Sequence, residues 1–160
     1  MAILTESGRV SVAHYLSKQP LHMAWGNGDP SWDALPVASS PDQTEVISEV
    51  GRLKATRVQF AKPDPLGDIE LPEGKFSIIG TPTKYLMLTF DFEYTDAIGQ
   101  DIRDLGVFIG TKAIPSVPEL TKYLTPAQIE DTGLLLVAER VIKFTRTSSV
   151  KQRFIYVIQF

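Results

Sequence analysis

The sequence predicts an α+β fold: an antiparallel β-sheet or sandwich, an N-terminal helix, and one or two further short helices. Three observations predict it. First, residues 85–94, Tyr-Leu-Met-Leu-Thr-Phe-Asp-Phe-Glu-Tyr, alternate along their length: Leu86, Leu88, Phe90, Phe92 and Tyr94 share one parity, and Tyr85, Met87, Thr89, Asp91 and Glu93 the other. Successive side chains of an extended chain point to opposite faces. This stretch therefore presents one apolar face and one of growing charge, as a principal strand of an antiparallel sheet does. Second, further apolar runs recur along the chain, each bounded by prolines or glycines. Third, helical patterns are short, and the longest opens the chain.

That opening segment is residues 5–18. Thr5 is placed to cap it, Glu6 suits its positive first turn, and Leu4, Val12, Tyr15 and Leu16 approximate an apolar stripe. Gly8 weakens such a helix by roughly 1 kcal/mol relative to alanine, which points to a close backbone approach there. Pro20 ends the segment, and residues 21–25 read as a short strand. Gly26-Asn27-Gly28-Asp29-Pro30 then marks a tight turn, because Gly and Asn take positive φ readily. Trp32 follows at once, and residues 33–42, with Pro36, Pro41 and a serine pair, read as a surface loop.

Residues 44–50 are expected to form a helical turn or short helix closed by Gly51. Residues 54–61 alternate as a strand with Val58 and Phe60 on one face, and residues 62–68 are a turn whose two prolines bar regular pairing. Residues 75–79 lead through Gly80-Thr81-Pro82 into the principal strand, and residues 95–100 connect it to an apolar strand at 102–109. Within that strand Gly106, and after it Gly110, mark a bulge or close packing. Pro115 and Pro118 break the chain again, and Thr125-Pro126-Ala127-Gln128 has the form of a helix start. Residues 134–142 and 153–160 supply the last two strands. Phe154, Tyr156, Ile158 and Phe160 share a face, so the end of the chain is expected to be tied into the sheet. With no internal repeat and no linker, residues 1–160 read as a single domain: an N-terminal helix and Trp-flanked turn over 1–35, and a β-rich body over 52–160.

The 160 residues are 43% hydrophobic and 22% charged, the balance of a globular chain with enough material for a real core. There is no cysteine, hence no disulfide, thiolate metal site or thiol nucleophile. No stretch reaches the roughly 18 apolar residues of a membrane span, and the start of the chain lacks a secretory signal. The expectation is a soluble protein that stays where it is made, unless carried out within a larger particle. A net charge of −3 argues against a general nucleic-acid binder. The charge is unevenly spread: Arg140, Lys143, Arg146, Lys151 and Arg153 follow Glu139 with no further acid, while Asp91, Glu93, Asp96, Asp101 and Asp104 crowd a region whose one base is Arg103. Such patches either form solvated faces, pair within the chain, or meet head to tail between copies.

Catalytic and metal-binding patterns are missing. His14 and His22 lack zinc spacing, and Asp29, Asp33, Asp64 and Asp68 fit turn chemistry better than a calcium loop. No nucleophile elbow, phosphate loop or dinucleotide fingerprint is present; Gly26-Asn27-Gly28 is followed by Asp29-Pro30 in place of a helix. No cofactor is expected. Asp91 and Glu93 share a strand face, an arrangement common on any solvated face and the sole ground for an enzyme reading. Trp25 and Trp32 bracket the Gly-rich turn, and tryptophan is favoured at interface hot spots; burial is the plainer expectation for at least one. The candidate interface residues are Trp25, Asn27, Asp29, Trp32, Arg140, Lys143, Arg146, Lys151 and Arg153.

Three segments carry a resemblance: Ile3-Leu4-Thr5-Glu6-Ser7-Gly8-Arg9 leading into a helix, Met23-Ala24-Trp25-Gly26-Asn27-Gly28, and Arg103-Asp104-Leu105-Gly106-Val107-Phe108. In this order they resemble small tail and baseplate proteins of contractile-tailed bacteriophages, and the N-terminal attachment domains of phage tail fibre and collar proteins. The resemblance implies a structural virion protein of the tail, made in the host cytoplasm: a baseplate component or tail-fibre attachment adaptor acting by protein–protein assembly. It equally admits a sheath initiator, tail terminator or other tail-completion protein. It implies other tail, baseplate or fibre proteins as partners, homo-oligomers in the particle, and no contact with nucleic acid or membrane. No repetitive shaft or receptor-binding tip follows the attachment-like region, so receptor binding is not implied. Two other classes stand beside it: a small β-rich ligand-binding module with Leu86, Leu88, Phe90 and Phe92 lining a pocket, and an enzyme using Asp91 and Glu93.

Overall fold

A computed structural model describes residues 1–160. In chain order the elements are α1 (Glu6–Ser17), β1 (Leu21–Gly26), a 3-10 helix (Pro30–Asp33), β2 (Glu49–Lys54), β3 (Arg57–Pro63), β4 (Ile69–Leu71), β5 (Gly74–Ile79) and β6 (Tyr85–Phe92). They continue with β7 (Asp101–Ile109), β8 (Lys112–Ala113), β9 (Tyr123–Leu124), a 3-10 turn (Pro126–Gln128), β10 (Ile129–Asp131), β11 (Leu134–Thr145) and β12 (Gln152–Gln159). This is the predicted α+β fold with antiparallel sheets. The chain builds two compact units, one from Met1–Gln19, Thr56–Thr89 and Phe154–Phe160, the other from Pro20–Ala55 and Phe90–Arg153.

The first unit carries α1 and a five-stranded sheet of order β12-β6-β3-β5-β4. Thr5 caps α1 as expected, its hydroxyl accepting from Gly8 N at 3.1 Å. The buried side of the helix differs from the expected stripe. Ala13 is wholly buried, whereas Leu4, Val12 and Tyr15 are exposed. The rotation follows from Ala13, small enough for close approach, from the His14 ring edge-on to Phe60, and from the Glu6–Lys84 ion pair at 3.1 Å. The principal strand is one turn of the alternation shorter than predicted, ending at Phe92, with Tyr94 outside it and half exposed. Both of its faces are covered over the first part: Leu86 and Leu88 are fully buried, and so is Met87, which packs with Ala61, Phe76, Ile155 and Val157. The charged face begins only at Asp91. Pro63 sits at the end of β3, opposite Phe76, and Phe160 N donates to Lys84 O at 3.0 Å, tying the end of the chain to the sheet as expected.

The second unit is a five-stranded sheet of order β11-β7-β1-β2-β9 with the small β8–β10 ladder. Its central strand β1 is buried at every residue because each face has its own cover. On one face Trp25 stacks on Phe92 with ring centroids 3.6 Å apart, and Phe144 meets it edge-on. On the other, Ala24 packs with Val46 and Phe108. The helix expected over residues 44–50 does not form. Val46 instead plugs the hollow above Gly26 and Gly106, while Gly28 N and Asn27 N donate to Ile47 O and Ser48 O, each at 3.0 Å, and Ile47 N donates to Asp104 Oδ2 at 2.8 Å. These bonds take the backbone groups a helical turn would have used. The helix start at Thr125 is real but stops after a single 3-10 turn, because Ile129 turns extended and pairs with Ala113. The short strands β4, β8, β9 and β10 have two or three residues each, too few to carry a periodic signal.

Candidate functional site

A concave surface lies in the second unit, where the Gly-rich turn after β1 faces the end of β11. Gly28 adopts φ +62°, and a Cβ there would lie 2.6 Å from the Trp32 ring and 2.9 Å from Arg103 Cβ, so only glycine lets the indole lie down on the turn. Asn27 fixes the turn from its side chain, donating to Asp101 O at 2.8 Å and Gln100 Oε1 at 3.2 Å. Asp29 caps the 3-10 helix Pro30–Asp33 by accepting from Ser31 N at 2.8 Å, and that bond lowers its pKa. The cap, with Pro30 in the first turn, sets where Trp32 and Asp33 point.

Asp33 binds Arg103 in a two-pronged pair, Nε to Oδ1 at 2.7 Å and Nη2 to Oδ2 at 2.8 Å. This pairing holds the Asp33 carboxyl below its ordinary range and raises the Arg103 guanidinium. Arg103 also donates to Asn27 O at 3.0 Å, binding β7 to the turn. From β11, Arg140 lays its guanidinium over the Trp32 ring, 4.1 Å from the centroid, and donates to Ala38 O at 3.0 Å. Lys143 reaches Asp33 Oδ2 at 3.6 Å.

The strand itself bends to make room. Arg140 stands opposite Asp104 but Phe144 opposite Ile102, so β11 carries two more residues than β7 over this interval. That bulge turns Ile142 outward, 95% exposed. Between the bulge and the loop after Trp32 runs a groove of about 400 Å³, with Val37 and Ile142 as its apolar parts and Arg140 and Lys143 as its cations.

The structure thus brings together Asn27, Asp29, Trp32, Arg140 and Lys143 from stretches more than a hundred residues apart. It places the other four candidates elsewhere. Trp25 is wholly buried in its aromatic stack. Arg146 is 3% exposed and ties loops from within, donating to Glu93 O at 2.7 Å, Val150 O at 2.9 Å and Asp96 O at 3.3 Å; burial lowers its pKa. Lys151 pairs with Glu93 at 2.6 Å and Arg153 with Asp91 at 2.5 Å, a separate surface where the acidic and basic patches meet inside one chain. Asp33, Val37, Arg103 and Ile142 belong to the groove but were not among the sequence candidates. Arg103 had a signal, as the lone base in the acidic run; Ile142 had none, because a bulge cannot be read from one strand.

No group of three metal-capable side chains occurs, and the two carboxylates of the possible acid–base pair each hold a cation. Aromatic, arginine and apolar surface in one groove is chemistry for docking another protein. No curated protein matches the chain in sequence. A family model, however, matches residues 1–160, and its description is baseplate wedge 3 tail fiber network component. The resemblance to phage tail proteins rests on that match as well as on the three segments that first carried it, and the chain belongs to the baseplate wedge 3 tail fiber network component family, a structural protein of the bacteriophage tail baseplate.

Proposed function

We infer that the protein is a tail-fibre attachment adaptor of the baseplate wedge, acting by protein–protein assembly in the virion tail after synthesis in the host cytoplasm. The observation that carries this reading is the Trp32 groove. Its half-buried indole is held between Gly28 and Arg140, Ile142 stands out beside it, and the whole rests on capped and ion-paired backbone. Rigid aromatic and arginine anchors in a preformed concavity are what protein hot spots are made of. The family description, which names a tail fiber network, supports fibre or neighbouring wedge proteins as the partners. The net charge of −3 is in keeping with a protein partner, and neither nucleic acid nor membrane has a part in this reading. Nor does catalysis. Homo-oligomerisation through the charged patches loses its main support, since Lys151 and Arg153 are already engaged by Glu93 and Asp91.

The test is to assemble particles with Trp32→Ala and, separately, Ile142→Asp, and to count fibres by electron microscopy and protein mass spectrometry. Ile142 is 95% exposed, so its substitution changes stability by no more than about 0.5 kcal/mol. Baseplates that form normally but lack fibres are the expected outcome. A full fibre complement on both variants would sink the reading. Loss of the sheath with fibres retained would favour a tail-completion role instead.

A further inference from the structure

Resting on that reading, we propose that the Trp32 groove takes a short segment of a different tail protein in which a carboxylate adjoins a large apolar side chain. The carboxylate lies between Arg140 and Lys143, and the apolar side chain covers Ile142 and Val37.

The cations set the sign of the partner. Among the groove-lining residues Asp33 is the one carboxylate, and Arg103 holds it in a two-pronged pair. Arg103 is further satisfied by Asn27 O and, at 3.9 Å, by Asp101. Lys143 therefore keeps only a long contact with Asp33 at 3.6 Å, and its side chain is 43% exposed. Arg140 spends one nitrogen on the carbonyls of Val37 and Ala38, while its Nε is buried without a hydrogen-bond partner. Asp104 on the paired strand makes no ion pair with Arg140, its carboxylate instead accepting from Ile47 N at 2.8 Å and lying near Gln43 Nε2. A guanidinium flattened on an indole, with donor capacity left over, is suited to a planar carboxylate.

The apolar half of the partner follows from the bulge. The two additional residues in β11 present Ile142 almost fully to water beside Val37, at 95% and 45% exposure. A volume of about 400 Å³ accommodates a few side chains and not a folded element, so the occupant is a short segment. A second copy of this chain fits less well, because the acidic strand that would serve it, Asp91 and Glu93, is held by Arg153 and Lys151 of its own chain.

The test uses assembled particles. A benzoylphenylalanine placed at position 142 is irradiated and its adduct mapped by mass spectrometry, while Lys143→Glu and Lys143→Arg are compared for fibre retention over a salt series. The expected adduct is on another tail protein, adjacent to an aspartate or glutamate. The charge reversal is expected to cut retention roughly tenfold and the arginine variant to preserve it, with salt weakening the native contact. An adduct on a second copy of this chain, an adduct far from any carboxylate, no adduct at all, or indifference to Lys143→Glu would each overturn the proposal. If fibres are lost in Trp32→Ala but not in Lys143→Glu, the groove still docks the fibre and only the acidic character of the segment fails. If Trp32→Ala also keeps its fibres, the attachment reading itself has failed.

Discussion

His22 shows what a single side chain contributes when its surroundings oppose its charge. It is 5% exposed, shares a face of the sheet with Arg52 and Lys54, and its Nδ1 has no hydrogen-bond partner. Burial first, then Arg52 and Lys54, lower its pKa from 6.5 to about 4. The folded protein therefore keeps the ring neutral where the unfolded chain has already taken a proton. Because the unfolded state binds more protons in that window, stability falls as pH drops from about 6.5 to about 4, by up to about 3 kcal/mol at about 1.4 kcal/mol per pH unit. Asp96 and Asp104 act in the opposite sense: burial raises both, so the fold takes up their protons before the unfolded chain does. The contribution of His22 is thus read by difference. Denaturant midpoints of the native protein and His22→Gln, followed through this window, should show a shallower loss in the variant; equal slopes would refute the assignment. The sequence offered His22 only as one of two histidines without metal spacing, and Trp25 and Trp32 as an equivalent pair. Their separation, one stacked inside on Phe92 and one laid on Gly28 under Arg140, depends on neighbours tens of residues away. No local pattern encodes that.

At the scale of the element, the longer strands were legible, whereas the helix expected at 44–50 did not form. The strands at 21–26 and 101–109 are covered on both faces and read as short, nearly continuous apolar runs rather than by alternation. Residues 44–50 were assigned from a closing glycine, but Val46, the buried residue among them, is drawn into the sheet by Gly26 and Gly106. A Cβ on Gly26 would lie 2.3 Å from Ile47 O and 2.5 Å from Val46 Cγ1, and one on Gly106 would lie 2.6 Å from Val46 Cγ2 and 2.7 Å from Leu135 Cδ1. The close packing inferred from Gly106 was correct, and its consequence for a distant segment was hidden. Both substitutions to alanine should destabilise, within the range of about 1–3 kcal/mol for overpacking. Gly26→Ala should cost more, because it meets a backbone carbonyl that cannot move aside, whereas Gly106→Ala meets side-chain ends. Adding Val46→Ala should relieve part of the Gly106→Ala cost and little of the other, and thermal or denaturant unfolding of the double variants measures this coupling. Additive effects for the Val46–Gly106 pair would refute the plug.

For the whole molecule the question left open by the uneven charge is whether the acidic and basic stretches meet within a chain or between chains. In sequence the two are separated by some fifty residues, and nothing local decides between the possibilities. In the structure the connection after β6 and the segment before β12 lie side by side. Arg146 is buried against the carbonyls of Glu93, Asp96 and Val150, Lys151 reaches Glu93, Arg153 reaches Asp91, and Thr145 bonds Asp101. Asp91 and Glu93 thus each hold a cation of their own chain, and a head-to-tail contact would have to break these pairs to use them. The expected behaviour of the isolated protein is therefore a mass that stays constant through a salt series in light scattering. Asp91→Ala with Glu93→Ala supplies the contrast: freeing Lys151 and Arg153 should make the protein retain longer on a cation-exchange matrix without creating an oligomer. A native oligomer that dissociates as salt is added would show that the patches pair between chains after all. That result would return the weight of assembly from the Trp32 groove to the charged strands.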